Sequence, residues 1–159
     1  MEDLDRMVLT VVFSLAGVVL LIALISWILY GISHSRILKL MNYPSPWMAW
    51  LPYANYYALA DCIKSQTVNI FGVQVHRNKF KLWWALKMLL NFIPEFGWIL
   101  GFILEIACLG LCYAEIYSYT DNKPKEDVII LGYVSGFVQL IPTFKYLIEY
   151  KGGKRNDKC

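Results

Sequence analysis

The chain reads as an all-α polytopic integral membrane protein, with about four transmembrane helices and one aromatic, proline-rich segment that is interfacial or re-entrant. Three observations predict this. Of its 159 residues 58% are hydrophobic and 17% charged, where soluble domains average about 45–50% apolar and about 25% charged. Aromatic side chains alone make up 16%, and a soluble domain of this size has too little interior to hide them. The apolar residues are also gathered into long uncharged runs. Disorder, collagen-like repeats and coiled coil are excluded by the same composition.

The first run, Met7 to Ser33, is 27 residues long, and about 20 residues cross a bilayer core. It opens on an acidic Met-Glu-Asp-Leu-Asp-Arg, where a cleaved signal peptide carries a basic n-region. Residues 8–30 are therefore expected as a retained transmembrane helix. Arg36 and Lys39 follow it, and Glu2, Asp3 and Asp5 precede it. The positive-inside rule then puts the N-terminus on the extracytoplasmic side and the 31–81 loop in the cytoplasm.

The second run, Leu40–Ala60, holds Pro44, Pro46 and Pro52 among Tyr43, Trp47, Trp50, Tyr53, Tyr56 and Tyr57. Amphipathic rings belong at the headgroup level and prolines break a lipid-exposed helix. Residues 47–60 are expected to lie at the interface or re-enter, with Trp47, Trp50, Pro52, Asn55 and Tyr56 as the interfacial residues. Residues 63–80 are mixed, with Val/Ile alternation around Gly72 that allows a short hairpin or a plain loop, and are assigned as loop. Three further helices follow at 82–93, 98–119 and 128–147. They are separated by a tight Pro94–Gly97 break and by the polar turn Asp121–Asp127, and the last is kinked or ended near Pro142. Residues 1–150 thus form a single transmembrane domain, and 151–159 a basic tail. The 82–93 segment is short, and a dip that returns to the same side would strengthen the Lys/Arg bias between the two faces.

A faint repeat recurs at three proline sites: Leu51-Pro-Tyr-Ala-Asn-Tyr, Ile93-Pro-Glu-Phe-Gly-Trp and Ile141-Pro-Thr-Phe-Lys-Tyr. Proline is tolerated in a first helical turn because its missing N–H would be unpaired there. The pattern predicts helix starts at an interface and carries no chemistry.

Ionisable residues within apolar segments are expensive, and Lys87 and Glu105 stand out. They lie 8.5 residues before and 9.5 residues after the centre of the Pro94–Gly97 break. On antiparallel helices rising about 1.5 Å per residue they share a depth, so an interhelical ion pair is expected. Gly101, Glu105, Cys108, Cys112, Glu115 and Tyr119 fall within an arc of about 80°. No histidine adjoins these thiols and carboxylates in sequence, so they are assigned to the bundle interior rather than to a metal, and no cofactor is expected. Ala107, Gly110, Ala114 and Ser118 line the opposite face, and Gly132-x-x-x-Gly136 marks the last helix. Small residues at this spacing allow close helix approach. Gly110, Ala114, Gly132 and Gly136 are thus the candidate packing residues, within the chain or between copies.

Enzymatic readings find no footing. His34 and His76 are the only histidines, and no nucleophile triad, zinc motif or phosphate-cradling loop appears. Asp61-Cys62 near His76 is the nearest thing to a nucleophile site. The four cysteines, Cys62, Cys108, Cys112 and Cys159, show no C-x-x-C spacing. The net charge of +3 is spread along the chain, without the basic, aromatic-interleaved stretch of a nucleic-acid site.

The order of the pieces resembles an uncharacterised family of small bacterial multi-pass membrane proteins. The likeness rests on Pro46-Trp47-Met48-Ala49-Trp50-Leu51-Pro52-Tyr53-Ala54-Asn55-Tyr56-Tyr57, on Trp83-Trp84 through Ile93-Pro94, and on Phe137–Tyr146 around Ile141-Pro142. In some members a similar module precedes a signal peptidase I domain. The 63–80 stretch and the Lys123-Pro-Lys-Glu-Asp127 turn depart from the pattern. The resemblance implies a fold and a cell-membrane location, and no activity. The expectation is a non-enzymatic protein that contacts membrane lipids and either a membrane-protein partner or further copies of itself. The alternatives are a small transporter or channel subunit using Lys87 and Glu105, and a bacteriocin-type immunity protein.

Overall fold

The computed structural model describes residues 2–148, so the 151–159 tail lies outside the described residues. They form α1 (Glu2–Leu40), a 3-10 turn (Pro46–Trp50), α2 (Pro52–Asp61), β1 (Thr67–Ile70), β2 (Val73–His76), α3 (Arg77–Phe80), α4 (Trp83–Leu90), α5 (Gly97–Asp121), α6 (Lys125–Phe137) and α7 (Leu140–Ile148). Two helices, Leu9–Leu40 and Gly97–Asp121, are long and apolar enough to cross a membrane; α6 and α7 make a third if the bent pair counts as one span.

That is fewer than the four expected, and local chemistry explains each difference. Helix 8–30 runs on to Leu40 because no proline follows Tyr30 until Pro44 and the single Gly31 is packed under Trp50. It ends where Asn42 turns left-handed (φ 54°) and the Tyr43 amide bonds back to the Leu38 carbonyl at 2.8 Å. The 82–93 helix shrinks to Trp83–Leu90, about 12 Å long and too short to span. Pro94 bars the helical region to the residue before it, and Glu95 closes the turn at φ 68°. The 128–147 helix is two pieces set at 111° to each other. Pro142 has no N–H to give the Val138 carbonyl and its ring crowds that oxygen, so α6 stops at Phe137 and Pro142 falls in the first turn of α7.

The segment assigned as loop contains a hairpin. β1 and β2 pair antiparallel, with Val68 opposite Val75 and Asn69 opposite Gln74. Phe71 (φ 50°) and Gly72 (φ 86°) make a two-residue turn of the type whose twist matches the strands. The 47–60 segment resolves into the 3-10 turn and α2, which begins on Pro52 as the proline repeat predicts; Pro142 also opens a helix, while Pro94 sits in the turn ahead of α5.

The core sits at one end of the molecule. Ile37 and Leu38 of α1, Leu59 and Ile63, Val68 of the hairpin, Phe80, Leu109, Tyr113, Ile116 and Tyr117 of α5, Val128 and Tyr146 are all buried together. The other end is apolar outward. Leu89, Phe92, Phe96 and Trp98 at the α4–α5 turn and Phe137 and Leu140 at the α6–α7 elbow are exposed, as is α1 from Leu9 to Ile28. Such a surface suits lipid and not water.

Candidate functional site

Three helices bring Lys87, Glu105 and Tyr56 together. Lys87 Nζ meets Glu105 Oε2 at 2.5 Å, and the Tyr56 hydroxyl donates to Glu105 Oε1 at 2.8 Å. The α4–α5 turn makes this possible by folding α4 back along α5. Gly97 packs so close to the Leu90 carbonyl that a Cβ would collide with it. One turn from Glu105, Gly101 packs against α4, where a Cβ would press on Asn91 Oδ1 at 3.2 Å and only touch the Lys87 stem at 3.5 Å. Trp83 tilts over Tyr56 with ring centroids 5.1 Å apart, so α2 joins the pair through both its hydroxyl and its ring.

A second polar cluster lies where α1 enters the core. His34 Nδ1 faces the Tyr30 carbonyl at 3.0 Å, and Nε2 lies 2.7 Å from the Tyr113 hydroxyl. A carbonyl only accepts, so Nδ1 carries the proton, and in the neutral ring Nε2 accepts from Tyr113. Asn55 Nδ2 donates to the Tyr30 hydroxyl at 3.0 Å, while Asn55 Oδ1 meets no donor among the described residues. Ser33 donates to the Pro142 carbonyl at 3.2 Å, and Arg36 to the carbonyls of Tyr146 and Leu147 at 3.2 and 2.8 Å. These bonds tie α1 to α7 and satisfy carbonyls left open at the end of α7.

At the core end, Asp61 takes Lys81 at 2.5 Å and Arg77 at 2.9 Å. Burial alone would raise the Asp61 carboxyl, but the hydrogen bonds and charges of Lys81 and Arg77 outweigh it and hold the group below its ordinary value. Beside it, burial chiefly, with the Asp61 charge added, pushes the Cys62 thiol up to about 12. His76 is turned elsewhere, accepting from the Asn78 amide at 3.3 Å, so Asp61, Cys62 and His76 do not form a nucleophile site.

The small-residue faces meet each other. A Cβ on Gly132 would lie 2.5 Å from the Gly110 carbonyl oxygen and 2.7 Å from the Ala114 Cβ; one on Gly136 would lie 2.7 Å from the Gly110 nitrogen. Gly110, Ala114, Gly132 and Gly136 therefore close α5 on α6. Of the aromatic segment, Trp50 covers Gly31, where a Cβ would meet its ring at 2.5 Å, and packs edge-on against Trp27. Asn55 and Tyr56 are spent on the polar clusters, and Trp47 stays 62% exposed. Glu105, Cys108, Cys112 and Glu115 face α2, α4 and neighbouring bases: Glu115 takes Lys125 at 3.0 Å and the Lys64 amide at 3.3 Å. Among the described residues no group of three His, Cys, Asp or Glu side chains is placed to hold a metal.

Sequence reasoning missed the Tyr30–His34–Tyr113 cluster and the Asp61–Arg77–Lys81 cluster. The i,i+4 spacing of Tyr30 and His34, read with the lack of any proline between them, is the signal for the first. The second depends on the hairpin, which folds Arg77 back beside Asp61. Compared with known proteins, the chain matches no family model, no curated protein and no solved structure.

Proposed function

We propose that the chain is a non-enzymatic multi-pass membrane protein that acts by lateral contact with a helix of another membrane protein, and that α1 is the contact surface. One observation carries this: over residues 9–28 α1 is apolar and exposed on every side, while the small-residue faces of α5 and α6 are consumed against each other. Gly132 and Gly136 lie against Gly110 and leave no small-residue face open on α6. On α1, Thr10, Ser14 and Gly17 follow helical spacing, and nothing lies within 4 Å of where a Gly17 Cβ would be. Small residues on one stripe let a second backbone approach, the main source of helix affinity in lipid. The resemblance to small bacterial multi-pass proteins agrees with a cell-membrane location and adds no activity.

The test is affinity purification from native membranes in mild detergent, with wild type beside a variant whose residues 9–27 are replaced by leucine. The expected result is a stoichiometric membrane partner lost in the replacement variant, with the rest of the fold retained. A clean monomer, or a partner that the leucine variant keeps, overturns the proposal.

A small transporter or channel subunit is the second reading. Its support is the Glu105 carboxylate on a candidate span, bonded to both Lys87 and Tyr56. It requires that Glu105→Gln abolish flux through reconstituted protein without loss of assembly.

A further inference from the structure

We propose that the β1–β2 hairpin is a membrane-surface finger, whose tip residues Phe71 and Val73 enter the headgroup layer of an anionic bilayer. The tip is apolar and bare: Phe71 is 73% exposed and Val73 63% exposed. A hairpin turn of this type favours Asn or Asp at its first position, because the backbone there is left-handed. Here Phe71 holds φ 50°, a conformation unfavourable for a bulky residue, so the ring is kept at the tip against backbone preference. The hairpin body is fixed. Val68 is buried, Ile70 and Val75 pack against the core, and the Arg77 amide bonds to the Gln66 carbonyl at 2.9 Å.

Depth and charge point to lipid. The Lys64 amide bonds to Glu115, and the Lys64 ammonium lies 3.7 Å over the Tyr119 ring, which sets the hairpin root where α5 turns from apolar to polar. Four residues of strand reach about 13 Å from that root. Between residues 61 and 81 the bases Lys64, Arg77, Lys79 and Lys81 face one acid, Asp61, which Arg77 and Lys81 already engage. Lys79 is exposed beside the root. An aromatic tip carried on a root with surplus positive charge fits a surface of anionic headgroups over apolar chains. The inference is independent of what contacts α1.

The experiment places p-benzoylphenylalanine at position 71 of the full chain. The protein is reconstituted in phosphatidylcholine vesicles with or without 30% phosphatidylglycerol (about a third anionic, as in cytoplasmic leaflets) and irradiated, and adducts are read by mass spectrometry. The same photoprobe at position 20 of α1 reports that lipid crosslinking works. The expected result is a phospholipid adduct at position 71 in the anionic vesicles. Its yield falls roughly fivefold with Lys79→Gln at limiting anionic lipid, and falls again at high salt. No lipid adduct at position 71 while position 20 gives one overturns the proposal. So does a position-71 adduct to protein alone when the experiment is repeated in native membranes.

Discussion

Lys87 Nζ and Glu105 Oε2 meet at 2.5 Å across the α4–α5 turn, with the lysine side chain 26% and the glutamate side chain 13% exposed. Either charge alone is costly in so little water, and each has the other. Removing one partner leaves an uncompensated charge, so Lys87→Met should destabilise the fold by about 3 kcal/mol. Reversing both, Lys87→Glu with Glu105→Lys, should restore most of that loss. Thermal unfolding in detergent measures it, and a double reversal as damaged as either single reversal would show that the pairing does not hold these helices.

Gly132 is predicted to be a site of internal closure. An alanine methyl there would lie 2.5 Å from the Gly110 carbonyl oxygen, and forcing it in should cost about 1–3 kcal/mol of stability. Gly17→Ala meets nothing within 4 Å and, alanine being the better helix former, should not lower the thermal midpoint. Unfolding midpoints measured alongside oligomeric state separate internal from intermolecular packing. A Gly132→Ala protein that keeps its midpoint and loses only a complex would reassign this surface to a partner.

The contrast between these glycines shows what the sequence holds and what it withholds. Lys87 and Glu105 were legible because helical rise and one tight turn put them at a common depth, a calculation within two adjacent elements. The small residues of α5 and α6 were legible as faces, but only packing decides that they face each other. The break at Pro142 was legible because proline lacks the N–H a helix interior needs, whereas the size of the bend, 111°, was not. The hairpin was passed over in favour of a loop because Phe71 stands where turn chemistry favours Asn. His34 went unassigned because its partner Tyr113 lies 79 residues away, a separation no local pattern spans.

Asp61 should make the docking of α3 and the hairpin acid-sensitive. Its folded carboxyl is held below the ordinary value of about 3.9. The stabilisation is therefore present above that value and lost as pH falls through the folded one. Hydrogen exchange at the hairpin amides should be flat from pH 7 to about 5 once corrected for intrinsic rate, and protection should fall below about pH 4. Asp61→Asn should be less protected at neutral pH and should converge with wild type in acid. A difference between the two that persists undiminished at pH 3 would mean that the charges of Arg77 and Lys81 are not what Asp61 supplies.

Cys62 offers the opposite sign. Burial, reinforced by the Asp61 charge, raises its thiol from 9.0 to about 12, so the folded protein keeps a proton that the unfolded chain gives up. Between about pH 9 and 12 this makes unfolding easier as pH rises, and Cys62→Ala should lose that part of the alkaline slope. The same proton governs reactivity, because only the thiolate attacks. At pH 8 the thiolate fraction at Cys62 is roughly a thousandfold below that of a free thiol, before burial is counted. Iodoacetamide should leave Cys62 unmodified in the folded protein and modify it fully in denaturant, with peptide-resolved mass spectrometry as the readout. Alkylation of the folded protein within tenfold of the denatured rate would mean that α2 and the hairpin do not stay closed over the thiol.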